Sequence, residues 1–147
     1  MTYLSKTRAI DDELDADAPP LADQLAALVT CRDLLKATVI VPLQRYLALH
    51  PAHRTPDRYF RDVTTAPFDI AQCGLATTIA TDADGLWRVS LAGSVGGRTV
   101  RIGYTGASLA FTIAQAAERT HERLDRLAAV VAIEQRKAAQ AELEVAA

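Results

Sequence analysis

The chain has 147 residues, enough for one domain that buries roughly two-thirds of its unfolded surface, and its 50% hydrophobic content supports a core. Aromatics are only 5%, so alanine and leucine, both good helix formers, supply most of that apolar content. A net charge of -2 excludes a general affinity for nucleic acid or anionic membrane, and no uncharged apolar run reaches the roughly 18 residues of a membrane span.

Residues Met1 to Asp17 are polar and aperiodic, with Asp11, Asp12, Glu13, Asp15 and Asp17 against only Lys6 and Arg8. They are predicted to form a mobile acidic tail, 1–17, ahead of a single α+β domain, 18–147. This N-terminus lacks an apolar signal-peptide region. Ala18-Pro19-Pro20 then offers a stop before a helix.

From Leu21 the apolar spacing alternates four and three through Leu25, Leu28, Arg32, Leu35, Val39, Pro42, Tyr46 and Leu49, and Leu34, Ile40, Leu43 and Leu47 widen the stripe along one side. That is helix periodicity. Arg32 interrupts the stripe, Pro42 lacks a backbone donor, and the β-branched run Thr38-Val39-Ile40-Val41 weakens helix propensity. A long N-terminal helix kinked near Pro42 is therefore predicted. The connector from Pro51 to Pro67 follows, with one helical turn expected at Pro56 to Phe60. Across 45–61, Arg45, Arg54, Arg58 and Arg61 interleave with Tyr46, Tyr59 and Phe60, a pattern used to hold nucleic-acid backbones and bases.

A three-stranded antiparallel meander comes next, with strands at about Gly74 to Asp82, Leu86 to Ala92 and Arg98 to Tyr104. A three-residue loop at Ala83-Asp84-Gly85, with Gly85 left-handed, sets Thr81 opposite Trp87, Ile79 opposite Val89 and Thr77 opposite Leu91. A turn at Ser94-Val95-Gly96-Gly97 sets Leu91 opposite Val100, Val89 opposite Ile102 and Trp87 opposite Tyr104. Both turns give the same apolar face, with Trp87, Val89, Leu91, Val100, Ile102 and Tyr104 as its predicted core. The other face is small and flat, and carries Arg88 and Arg101.

After Thr105-Gly106 a long C-terminal helix is predicted from the series Ile113, Ala117, Thr120, Leu124, Leu127, Val131, Glu134, Ala138, Ala141 and Val145. At about 40 residues it would be about 60 Å long, more than the domain is wide. Ile113, Ala117, Leu124, Leu127 and Val131 are accordingly expected to pair with a second copy of the chain about a two-fold axis; the competing arrangement is a hairpin with the first helix.

Short motifs carry little chemistry. Gly106-Ala107-Ser108-Leu109-Ala110 departs from a nucleophile elbow at its last position, and reads as a helix start capped by serine. Gly93-Ser94-Val95-Gly96-Gly97 precedes a strand and lacks a lysine, so it reads as a turn rather than a phosphate cradle. Asp82-Ala83-Asp84-Gly85 opens like a calcium loop, but Gly93 stands where the closing acidic ligand belongs. Glu118-Arg119-Thr120-His121 has a di-metal spacing, yet the first helix contains no Glu. His50 and His53 lack a third ligand. Cys31 and Cys73 lack metal spacing and read as buried free thiols. No catalytic residue, metal or cofactor is assigned.

The sequence reads as a non-enzymatic, cytoplasmic, homodimeric interaction protein, a small regulator, adaptor or inhibitor with a protein partner and no membrane association. Its strong preference for Arg over Lys points to a GC-rich bacterial or phage genome. The alternative is a nucleic-acid-binding protein. Under either reading the partner-binding residues are Arg45, Arg54, Arg58, Arg61, Arg88 and Arg101.

Overall fold

A computed structural model describes residues 19–49 and 74–146. Helix α1, Leu21–Leu35, runs into a π-helical turn, Lys36–Ile40, and then into helix α2, Val41–Leu49. Strands β1, Leu75–Thr81, β2, Trp87–Val95, and β3, Arg98–Gly106, form one antiparallel sheet in the order β1-β2-β3. Helix α3, Leu109–Ala146, completes the α+β fold. The helices cover one face of the sheet, α3 over β2 and β3 with α1 beside it.

Pro42 accounts for the π-helical turn. A proline ring clashes with the carbonyl four residues back, and has no N–H to offer it. The residues just before it take the wider hydrogen-bond pattern instead, with the Val41 N–H donating to the Lys36 carbonyl. Helical dihedrals persist at Leu35, Lys36 and Val41, so the expected disturbance near Val41 is a widened turn within a continuous helical path.

That extra residue changes which side chains reach the core. The buried set is Gln24, Leu28, Cys31 and Leu35 before the turn, then Val39, Ile40 and Leu43 after it. Two positions of the expected stripe are thus corrected, since Arg32 lies at its rim and Pro42 is exposed, while Cys31, Ile40 and Leu43 are inside as expected. Two ion pairs tie Arg32 to Asp33 at 3.1 Å and to Asp125 at 2.8 Å. The hydrogen bond to Asp33, more than the one to Asp125, holds the guanidinium above its ordinary pKa.

The β1–β2 register is the expected one, with Thr81 opposite Trp87, Ile79 opposite Val89 and Thr77 opposite Leu91. Gly85 takes a positive φ of 78°, and the Asp82 carboxylate accepts from the N–H groups of Asp84 and Leu86. The β2–β3 register differs from expectation by two residues. Val95 pairs with Arg98 across a two-residue turn, Gly96-Gly97, so Leu91 faces Ile102 and Val89 faces Tyr104. Both glycines have positive φ, the conformation whose twist suits a hairpin. A shift of two preserves the side-chain alternation, so the core face is unchanged. Val89, Leu91 and Val100 are buried there as expected, joined by Val95 and Leu75; Trp87, Ile102 and Tyr104 are only half-buried.

Helix α3 begins where Ser108 accepts from the Phe111 N–H at 3.3 Å, the cap expected of that serine. Its first turns are buried on most sides between the sheet and the helices, and its buried series continues through Leu124, Leu127 and Val131. Thr120, which breaks the apolar series, is fully buried and donates to the Ala116 carbonyl at 2.7 Å. No helix among the described residues is long and apolar enough to cross a membrane.

Candidate functional site

Strand alternation sends residues 98, 100, 102 and 104 of β3 to the covered face, so Arg98 enters the core alongside Val100. It is 4% exposed. A buried guanidinium needs partners for its donors, and the two helices supply them. Nε donates to Gln24 Oε1 of α1 at 3.1 Å, and Nη2 donates to Glu134 Oε2 of α3 at 2.8 Å. Gln24 in turn donates from Nε2 to the Pro19 carbonyl at 2.7 Å, so both ends of its amide are used. The node fastens the β2–β3 hairpin to α1 and α3 together.

A cavity of about 290 Å³ opens beside this node, lined by Arg98, Arg123, Arg126, Leu127, Val130 and Glu134. The five helical positions recur at the spacing of one side of α3. Three guanidiniums therefore share the space with one carboxylate.

The far face of the sheet is left uncovered by the described elements. Arg88 lies there between Ala80 and Thr105, and Arg101 lies beside Ala92. Both are exposed, among small and hydroxyl side chains with no acidic residue on the strands of that face. Their Cα positions are about 14 Å apart along the diagonal of the sheet.

Of the other residues singled out in the sequence, Arg45 is exposed on α2, while Arg54, Arg58 and Arg61 lie outside the described residues, as do His50, His53 and Cys73. Cys31 is buried. The seam offered for pairing with a second copy is corrected: Ile113, Ala117, Leu124, Leu127 and Val131 are each at most 4% exposed within the single chain. They are consumed by α1, α2 and the sheet, because the partners along the two helical paths run antiparallel. Gln44 meets Glu118, Arg32 meets Asp125, and Gln24 reaches Glu134 through Arg98.

The Glu118/His121 pair borders a shallow cleft with Lys36, Ile40, Gln44 and Glu122, where Glu118 accepts from Gln44 at 2.9 Å. Among the described residues no three His, Cys, Asp or Glu side chains are grouped to hold a metal ion.

Gln24, Arg98 and Glu134 were not picked out as a site by sequence reasoning. Their signals were present separately. Gln24 precedes Leu28 by four residues, Arg98 shares parity with Val100, and Glu134 interrupts an apolar series. Nothing in a linear pattern joins positions so distant in the chain. No family model, no curated protein and no solved structure matches this chain.

Proposed function

We propose that this chain is a non-enzymatic macromolecular interaction protein, a small regulator, adaptor or inhibitor, which self-associates through the outer part of α3. The observation that carries this reading is the way α3 outruns its own domain. From Ala132 to Ala146 none of its residues is fully buried, and Ile133, Leu143 and Val145 are 44%, 69% and 88% exposed. That is roughly 22 Å of helix with apolar side chains facing solvent. A helix gains most of its stability in water from packing one face, and a second copy offers the simplest complementary surface.

Light scattering at micromolar concentration tests it. The expected mass is twice the 15.8 kDa of one chain, returning to one chain when Ile133 and Leu143 are both replaced by Asp. A wild-type mass of one chain overturns the self-association.

A second reading, nucleic-acid binding, is favoured by Arg88 and Arg101 on an uncovered sheet face whose strands carry no acidic residue. Replacing both by Ala should weaken retention on labelled DNA or RNA and flatten its salt dependence, because each phosphate contact releases counterions. Absence of wild-type retention at low salt removes this reading.

A further inference from the structure

We propose that the outer edge of β3 takes up an extended acidic segment of another protein as a fourth strand of the sheet. The Gly96-Gly97 turn is closed by the Val95–Arg98 pair, which in a two-residue hairpin exchanges both backbone hydrogen bonds. Alternation along β3 then points the N–H and C=O groups of Thr99, Arg101, Gly103 and Thr105 away from β2. Among the described residues these groups meet no partner. Such an edge is a template for another strand, and a peptide backbone matches both its donors and its acceptors.

Charge selects the partner. Arg101 stands on the edge strand itself, and Arg88 stands one strand in, beside Thr105 and diagonal to Gly103, which has no side chain to block its reach. Both arginines are exposed, and neither has an ion-pair or hydrogen-bond partner among the described residues. On the covered side of the same edge, the Arg119 guanidinium lies 4.8 Å from the centre of the Tyr104 ring, and Ile102 and Tyr104 are half-buried. Carboxylates on one side of an incoming strand therefore meet Arg101 and Arg88, while apolar side chains on its other side meet Ile102 and Tyr104. The outer edge of β1 is equally bare, but β1 carries no charged residue. A second copy of β3 brings its own Arg101, and like charges across a strand pair are destabilising. A phosphodiester linkage accepts hydrogen bonds and donates none, so it leaves the outward carbonyls unmet.

Fluorescence anisotropy tests the assignment, with the full-length chain and a labelled peptide of the length of β3 in which Glu and Val alternate. The expected result is saturable binding that weakens as salt rises and is absent when Lys replaces every Glu of the peptide. It falls about tenfold in Arg101→Glu, where an attraction becomes a repulsion. Arg101 is exposed, so this variant should keep the wild-type unfolding temperature. Two further peptides carry N-methyl groups on alternate residues, one for each edge of the strand. Methylation of the edge facing β3 abolishes binding and methylation of the other edge spares it, a difference that a purely electrostatic contact does not produce. Equal binding of the two methylated peptides, or no binding of the unmodified one, overturns the proposal. Tighter binding of a thymidine oligonucleotide than of the peptide also overturns it, and assigns the arginines to nucleic acid. The proposal rests on the reading of this chain as an interaction protein, but peptide binding and chain mass are separate readouts, so it and self-association through α3 can fail independently.

Discussion

Arg98 is placed by backbone alternation and kept by two side chains that reach it from opposite helices. Removing one partner of a buried hydrogen bond leaves the other without a donor, whereas removing both with apolar groups can be nearly neutral. Arg98→Met should therefore cost about 2 kcal/mol, and adding Gln24→Leu should recover most of that loss. Urea unfolding of the two single variants and the double variant checks the cycle; strictly additive losses would contradict it. Glycines make a second residue-scale contrast. A Cβ on Gly96 would meet the Gln24 carbonyl oxygen at 2.9 Å and its Cα at 3.0 Å, while one on Gly85 would meet nothing within 4 Å. Both have positive φ. Gly85→Ala should cost about 1–2 kcal/mol from conformation alone, and Gly96→Ala clearly more, as read from chemical denaturation.

Within the first helical path, the π-helical turn keeps two seams in phase. One additional residue rotates everything beyond it by about 100°, which moves the buried positions onto Val39 and Leu43 rather than Thr38 and Pro42. Deleting the exposed Ala37 converts this turn to ordinary α-helix, provided Pro42→Ala removes the clash that the proline would then make. That combined variant should retain cooperative thermal unfolding. Deleting the exposed Thr30 should not, because it rotates Gln24 and Leu28 away from the seam they share with Cys31 and Leu35. Equal damage from both deletions, followed by circular dichroism, would refute this account. The sequence disclosed the cause, a proline after a β-branched run, but not the remedy. A kink and a widened turn relieve the same clash, and the choice depends on which one aligns the apolar residues on both sides.

At the scale of the whole molecule, the described chain is two layers with a helix that continues past them. Leu124 has no exposure and Leu143 has 69%, although both carry the same side chain on the same helix. Leu124→Ala should cost about 2–5 kcal/mol, since the surrounding side chains from sheet and helices cannot fully close the cavity. Leu143→Asp should change stability by no more than about 0.5 kcal/mol, and any effect on mass by light scattering then reports association rather than folding. A large fall in unfolding temperature for Leu143→Asp would mean that the outer part of α3 contributes to the folded domain.

Local patterns by themselves determined the elements. Periodicity near 3.6 and near 2, with Gly85 and Ser108 as punctuation, marked both helical paths, the meander, its core face and the β1–β2 register. Turn length was less legible at the second hairpin, because a four-residue loop and the two-residue Gly96-Gly97 turn leave the same residues on the same face. What only the tertiary structure decided is the destination of each apolar stripe and each interrupting charge. A stripe states that something must cover it and carries no address, so Leu124, Leu127 and Val131 fitted a second copy as well as an internal neighbour until α1 and the sheet enclosed them. Arg98 and Glu134 read as isolated polar residues until packing brought them to 2.8 Å. Charge pairing depends on distance in space, and residues 36 positions apart acquire that distance only when the chain has folded.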